Sequence, residues 1–120
     1  MLVEDASDVR SLVSLILSQA GYKNLKAGDG VEALDVASRH EGVIDVLVTD
    51  IVMPKMDGLQ LADRLVALRA DLKVLFVSGH AASAAVEAVM PRMHARFLQK
   101  PFSSGTLAQN LRSLLDTPHG

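Results

Sequence analysis

The sequence predicts an α/β fold of the doubly wound class: a five-stranded parallel sheet in the order 2-1-3-4-5, with helices on both faces. Three observations predict it. Apolar strand-like runs and periodic helix-like runs alternate five times along the chain, joined by short connections. Right-handed strand–helix–strand crossovers leave only a few strand orders open. Acids follow the first and third strand segments, at Glu4-Asp5 and Asp50. The order 2-1-3-4-5 sets those two strand ends side by side, at the switch point where such sheets bind ligands.

Each element has its own local reason. Residues 1–4 read as a short first strand. Residues 7–20 carry Val9, Leu12, Val13, Ile16 and Leu17 at helical spacing, and Gly21 suits the C-terminal cap. Residues 23–27 make the most polar strand, which belongs at a sheet edge. A second helix over 30–40 has Val31, Leu34 and Ala37 on one face. The third strand, 44–49, is mostly apolar and β-branched, as a strand covered on both faces should be. Asp57 caps a third helix bearing Leu59, Leu61, Leu65, Val66 and Leu68. A fourth strand at 74–77 leads to a helix over 82–90 that Pro91 stops. Strand 95–98 and helix 104–115 complete the pattern.

A chain of 120 residues holds one ordinary core, so residues 1–120 read as a single domain. Only three residues precede the acids in a strand that should be central, where about five are usual. This predicts a domain excised from a longer chain at its N-terminus. The 49% hydrophobic and 22% charged content is that of a soluble globular protein. A net charge of -2 provides no basic field to draw the chain to nucleic acid or an anionic membrane. Without cysteine there is neither a disulfide nor a thiolate metal site, which fits a cytoplasmic protein. His40, His80, His94 and His119 form no i, i+4 pair, which argues against zinc. No apolar run approaches the roughly 20 residues that span a bilayer.

Five positions concentrate the chemistry: the pair Glu4-Asp5, then Asp50, Ser78 and Lys100, each at or just past the C-terminal end of a strand segment. Any one alone would read as a helix cap or a solvated turn residue. All five fall on the same edge of one sheet. Three carboxylates offer the hard oxygen ligands that magnesium prefers, and a divalent ion relieves their mutual repulsion and keeps Asp50 ionised as a nucleophile. Lys100 brings a positive charge; at about 4 Å and an effective dielectric of about 20 such a pair is worth on the order of 4 kcal/mol. Ser78 donates a hydrogen bond, and Gly79 leaves its backbone amide accessible. The set suits carboxylate attack on phosphorus to give an aspartyl-phosphate. Met53, Met56, Met90 and Met93 read as gap-filling apolar contacts.

At these residues the chain resembles a response-regulator receiver domain, the flavodoxin-like, phospho-accepting module of two-component signalling. The resemblance lies in Leu2-Val3-Glu4-Asp5, in the block from Val48-Thr49-Asp50 through Met53-Pro54 to Asp57-Gly58, in Phe76-Val77-Ser78-Gly79, and in Phe97-Leu98-Gln99-Lys100-Pro101-Phe102. It implies that Asp50 is the phosphoacceptor. Magnesium would be bound by Asp5 directly, by Glu4 mostly through water, by Asp50 and by the Val52 carbonyl. Ser78, Gly79 and Lys100 would bind the phosphoryl group, Ser78 and Phe97 would form the switch, and the Lys100-Pro101 peptide would be cis. The implied partner is a histidine kinase or its phosphohistidine domain, in cis or in trans, with a downstream phosphotransfer or output domain and no direct nucleic-acid binding.

The chain departs from the commonest family pattern at Glu4 for aspartate, Gly79 for alanine, and Phe97, which lacks a tyrosine hydroxyl. Val-Ser-Gly-His and Phe-Leu-Gln-Lys-Pro-Phe are similar to receivers fused behind hybrid sensor kinases, which would make this the cytoplasmic part of a membrane protein. Two other readings compete. A small aspartyl-phosphate phosphatase of the haloacid dehalogenase class needs a second acid two residues after the nucleophile, where this chain has Val52. A scaffold that binds partners without phosphorylation would not need so complete a set of site groups.

Overall fold

Successive strand residues point to opposite faces, so a strand apolar at every position must be covered on both. The computed structural model describes residues 1–22, 25–53 and 55–116. Its elements are β1 (Leu2–Val3), α1 (Ser7–Gln19), β2 (Lys26–Ala27), α2 (Gly30–Arg39), β3 (Val46–Asp50), α3 (Gly58–Leu68), β4 (Lys73–Ser78), α4 (Ala84–Val89), a 3-10 turn (Met90–Arg92), β5 (His94–Gln99) and α5 (Ser104–Asp116). The strands are all parallel, in the order β2-β1-β3-β4-β5. The polar second strand is at the edge, and the first is central, as expected.

The alternation sorts the core into two layers. Val3, Leu47, Val74 and Phe76 face one side, against Ala33 and Ala37 of α2, Leu61, Ala62 and Leu65 of α3 and Val86 of α4. Leu2, Val48, Leu75 and Val77 face the other, against α1 and the Leu107, Leu111 and Leu114 stripe of α5. Each fully buried leucine or valine contributes about 1.5–3 kcal/mol of transfer free energy. Met53 and Met56 close the first layer where the β3–α3 turn crosses it. A Cβ on Gly30 would lie 2.8 Å from the Met56 Cβ, so only glycine lets α2 begin this close to that turn.

Side chains satisfy the ends of α2 and the start of α3. The Asp29 carboxylate accepts from Glu32 N–H at 2.8 Å. Asp57 and Gln60 form a reciprocal capping box at 2.8 and 3.2 Å, so Asp57 serves as the cap it was expected to be. At its other end α2 is closed by Arg69, whose guanidinium donates to the carbonyls of Ala37, His40 and Gly42. Gly21, at φ +93, turns the chain out of α1.

Several boundaries differ from those the sequence predicts. Residues 23 and 24 of the expected second strand, Pro54 and His119 lie outside the described residues. β3 starts at Val46 and includes Asp50, because its ladder with β4 continues to the Asp50–Val77 pair. β5 runs from His94 to Gln99, longer than expected, because each residue of β4 offers it a partner. α4 is only Ala84–Val89: Ser83 accepts from Val86 N–H at 3.3 Å and starts it late, and a 3-10 turn containing Pro91 follows it. Leu12, Val31 and Leu68, expected on buried faces, are 59%, 50% and 71% exposed. Each helix buries only one stripe against the sheet, and small Ala33 and Ala62 are fully buried within it. Among the described residues no helix is long and apolar enough to cross a membrane.

Candidate functional site

Parallel pairing brings the C-terminal ends of β1, β3, β4 and β5 to one edge of the sheet. Val3 pairs with Thr49, Asp50 with Val77, and Ser78 with Gln99. Glu4 N–H still donates to the Ala27 carbonyl at 3.1 Å, and the chain then leaves the sheet at the exposed Asp5. Thr49, wholly buried, donates its hydroxyl to the Asp50 carbonyl at 2.8 Å. The backbone of Asp50 is thus held by both its ladder and its neighbour.

Lys100 returns over this edge. Its N–H donates to the Ser78 carbonyl at 2.7 Å, and its peptide to Pro101 is cis, as the family resemblance implied. Its ammonium donates to Asp50 Oδ2 at 3.1 Å and to both Glu4 carboxylate oxygens at 3.4 Å. Burial acts to lower the Lys100 pKa, but the two carboxylates outweigh it and hold the ammonium above its ordinary value. Glu4 is 4% exposed. Burial, then the adjoining Asp50 carboxylate, push its pKa up to about 7 against the pull of Lys100.

The carboxylates of Glu4, Asp5 and Asp50 offer ligand atoms within 4.8 Å of one another. An all-oxygen set with one exposed member fits magnesium, which keeps several waters, better than a metal demanding nitrogen or sulfur. Of the other predicted residues, Ser78 is buried at the end of β4, and its Oγ accepts from His80 N–H at 3.1 Å. A Cβ on Gly79 would meet nothing within 4 Å, so the backbone there is open. Val52 lies in the turn after β3 with 67% of its surface exposed. Phe97 sits further back, opposite Phe76 and packed against the first core layer rather than in the acid cluster.

Sequence reasoning missed Arg10 and Lys55. Arg10 Nη1 donates to the Glu4 carbonyl at 2.6 Å. Lys55, at φ 70, pairs with Asp29 at 3.5 Å and ties the β3–α3 turn to the start of α2. For Arg10 one signal was present in the sequence: a cation in the first turn of a helix, against the helix dipole. A cavity of about 560 Å³ beside Met1, Tyr22 and Ile44 opens near the N-terminal ends of the strands and holds none of the five site residues.

Comparison with known proteins identifies the family. The family profile of the response regulator receiver domain matches residues 1–112. The chain is 38% identical over 116 residues to the sensor kinase CckA of Brucella abortus (strain 2308), covering 97% of this chain and 12% of that kinase. It is 36% identical over 116 residues to the response regulator receiver protein CpdR of the same organism, covering 96% of this chain and 94% of that protein. The crystal structure of the receiver domain from the hybrid histidine kinase CckA superposes with a TM-score of 0.80 at 34% identity, covering 96% of both chains. On these matches, the chain belongs to the response regulator receiver domain family of two-component systems.

Proposed function

We propose that this receiver takes a phosphoryl group from the phosphohistidine of a histidine kinase onto Asp50 and signals by changing conformation. The observation that carries the proposal is the Lys100 ammonium at 3.1 Å from Asp50 Oδ2, beside three carboxylates whose ligand atoms lie within 4.8 Å. Glu4, Asp5, Asp50 and the Val52 carbonyl would hold magnesium. When bound, that ion supplies positive charge against the carboxylates and the phosphoryl oxygens. An Asp50 carboxylate oxygen attacks phosphorus in line as the N–P bond breaks. The electron pair leaves on the imidazole, which takes a proton from solvent. Lys100 turns from the carboxylates to a phosphoryl oxygen, and the Ser78 hydroxyl and Gly79 amide donate to the others. Ser78, drawn toward the phosphoryl group, vacates space that the Phe97 ring fills.

The kinase acts in trans on a free-standing receiver, or in cis if the receiver is fused behind it as in CckA; in either case this domain works on the cytoplasmic side. A further phosphotransfer or output domain then reads the signal. With acetyl phosphate and magnesium the protein should gain one acid-stable, base- and hydroxylamine-labile phosphoryl group, and Asp50→Asn should gain none. Equal labelling of the variant overturns the assignment.

A further inference from the structure

The Glu4–Asp5 peptide is planar, so its orientation sets the directions in which both acidic side chains leave the backbone. On the sheet side the preceding peptide is held through Glu4 N–H, which donates to the Ala27 carbonyl. Beyond Glu4 the ladder ends. The Glu4 carbonyl is held by Arg10 Nη1 at 2.6 Å. The same nitrogen lies 3.3 Å from where a Cβ on Gly28 would stand, so the guanidinium is lodged against the β2–α2 turn. That turn is fixed in its own right, since Gly28 N–H donates to Glu32 Oε2 at 3.2 Å.

The dipole of α1 disfavours an arginine at this place, even with Asp8 in the same first turn. Arg10 stands in the first turn of α1, where the dipole opposes a cation, and the Ala6 N-cap makes no side-chain cap of its own. The contribution of Arg10 therefore comes from what its side chain holds. We infer that Arg10 is a positioning residue for the metal-binding acids, fixing the Glu4–Asp5 peptide from the side the sheet does not reach. This rests on the proposal that Glu4, Asp5 and Asp50 hold magnesium. As a cation Arg10 also repels a divalent ion, so positioning and charge act with opposite signs.

The opposed signs allow a decisive test on the full, unphosphorylated chain. The magnesium dissociation constant is measured by titration calorimetry for the parent, Arg10→Met and Arg10→Lys, with folding checked by urea melts in EDTA. Methionine keeps the length of the stem but removes charge and donor; lysine keeps both. Arg10→Met is expected to bind magnesium about tenfold more weakly, as loss of an outer-shell partner does, and Arg10→Lys to recover most of that. Unchanged or tighter binding by folded Arg10→Met overturns the inference. Should that variant not fold, Arg10→Gln, which removes the charge and draws the donor back from the Glu4 carbonyl, takes its place, and parental or tighter affinity there overturns the inference instead. A parent chain that binds no magnesium would overturn the metal reading itself, a distinct result.

Discussion

Asp50 and Gly58 meet backbone to backbone: a Cβ on Gly58 would overlap the Asp50 carbonyl oxygen, and Gly58 N–H donates to the Ile51 carbonyl at 2.8 Å. The start of α3 is thereby clasped onto the end of β3. Alanine is the better helix former by about 1 kcal/mol, yet here its methyl group must push two backbone segments apart. Gly58→Ala is expected to lose about 1–3 kcal/mol of stability in urea, in the range of other overpacking substitutions, and to slow acetyl phosphate labelling of Asp50. Parental stability would show that the clasp yields freely.

Glu4 makes the metal-free protein sensitive to pH. The folded chain keeps the Glu4 proton up to about pH 7, whereas the ordinary value is 4.5. Between those values the folded state binds more protons than the unfolded one, so this group's contribution makes stability fall as pH rises through the window. In EDTA the parent should lose stability relative to Glu4→Gln from pH 4.5 to 7. Excess magnesium, by neutralising the ionised carboxylate, should flatten the difference. Parallel urea-melt profiles for the two proteins in EDTA would refute the assignment.

The surface expected to respond to phosphorylation is α4, β5 and α5. Ser78 ends β4 and Phe97 lies in β5, and α4 between them is six residues long with only Val86 buried. An element so lightly anchored opens at low free energy. On adding beryllofluoride and magnesium, amide exchange should change in α4 and β5. Changes confined to α2 and α3 would refute this.

Phosphoryl lifetime should depend on the two side chains that follow Asp50 and Ser78 by two residues, Val52 and His80. Both are exposed at the site edge. On a phosphorylated Asp50 an apolar Val52 would shield the in-line path of water without hydrogen-bonding it, whereas His80 would bond water only in some orientations. Val52→Asn is expected to speed dephosphorylation by about tenfold, or about 1.4 kcal/mol of barrier, and His80→Ala to alter it less. Parental rates for both, with magnesium in excess and donor removed, would exclude this control.

The sequence by itself determined the order of elements, the parallel sheet and the edge on which Glu4, Asp5, Asp50, Ser78 and Lys100 gather. Those conclusions rest on backbone periodicity, crossover handedness and chain order, all written locally. The cap at Asp57 and the turn at Gly21 were legible for the same reason. Which apolar residues are covered was decided by the tertiary structure: Leu17 and Leu65 are buried while Leu12 and Leu68 stand in solvent. Helical spacing marks a face but not the width of the stripe that the sheet can cover. The upward pull on the Glu4 pKa, the Lys100 ammonium shared with a residue 96 positions away, the Arg10 bond behind the acids and the space denied to Gly58 were likewise settled only by packing. Each depends on desolvation and on distances between segments remote in the chain, and these exist only once the layers have closed on one another.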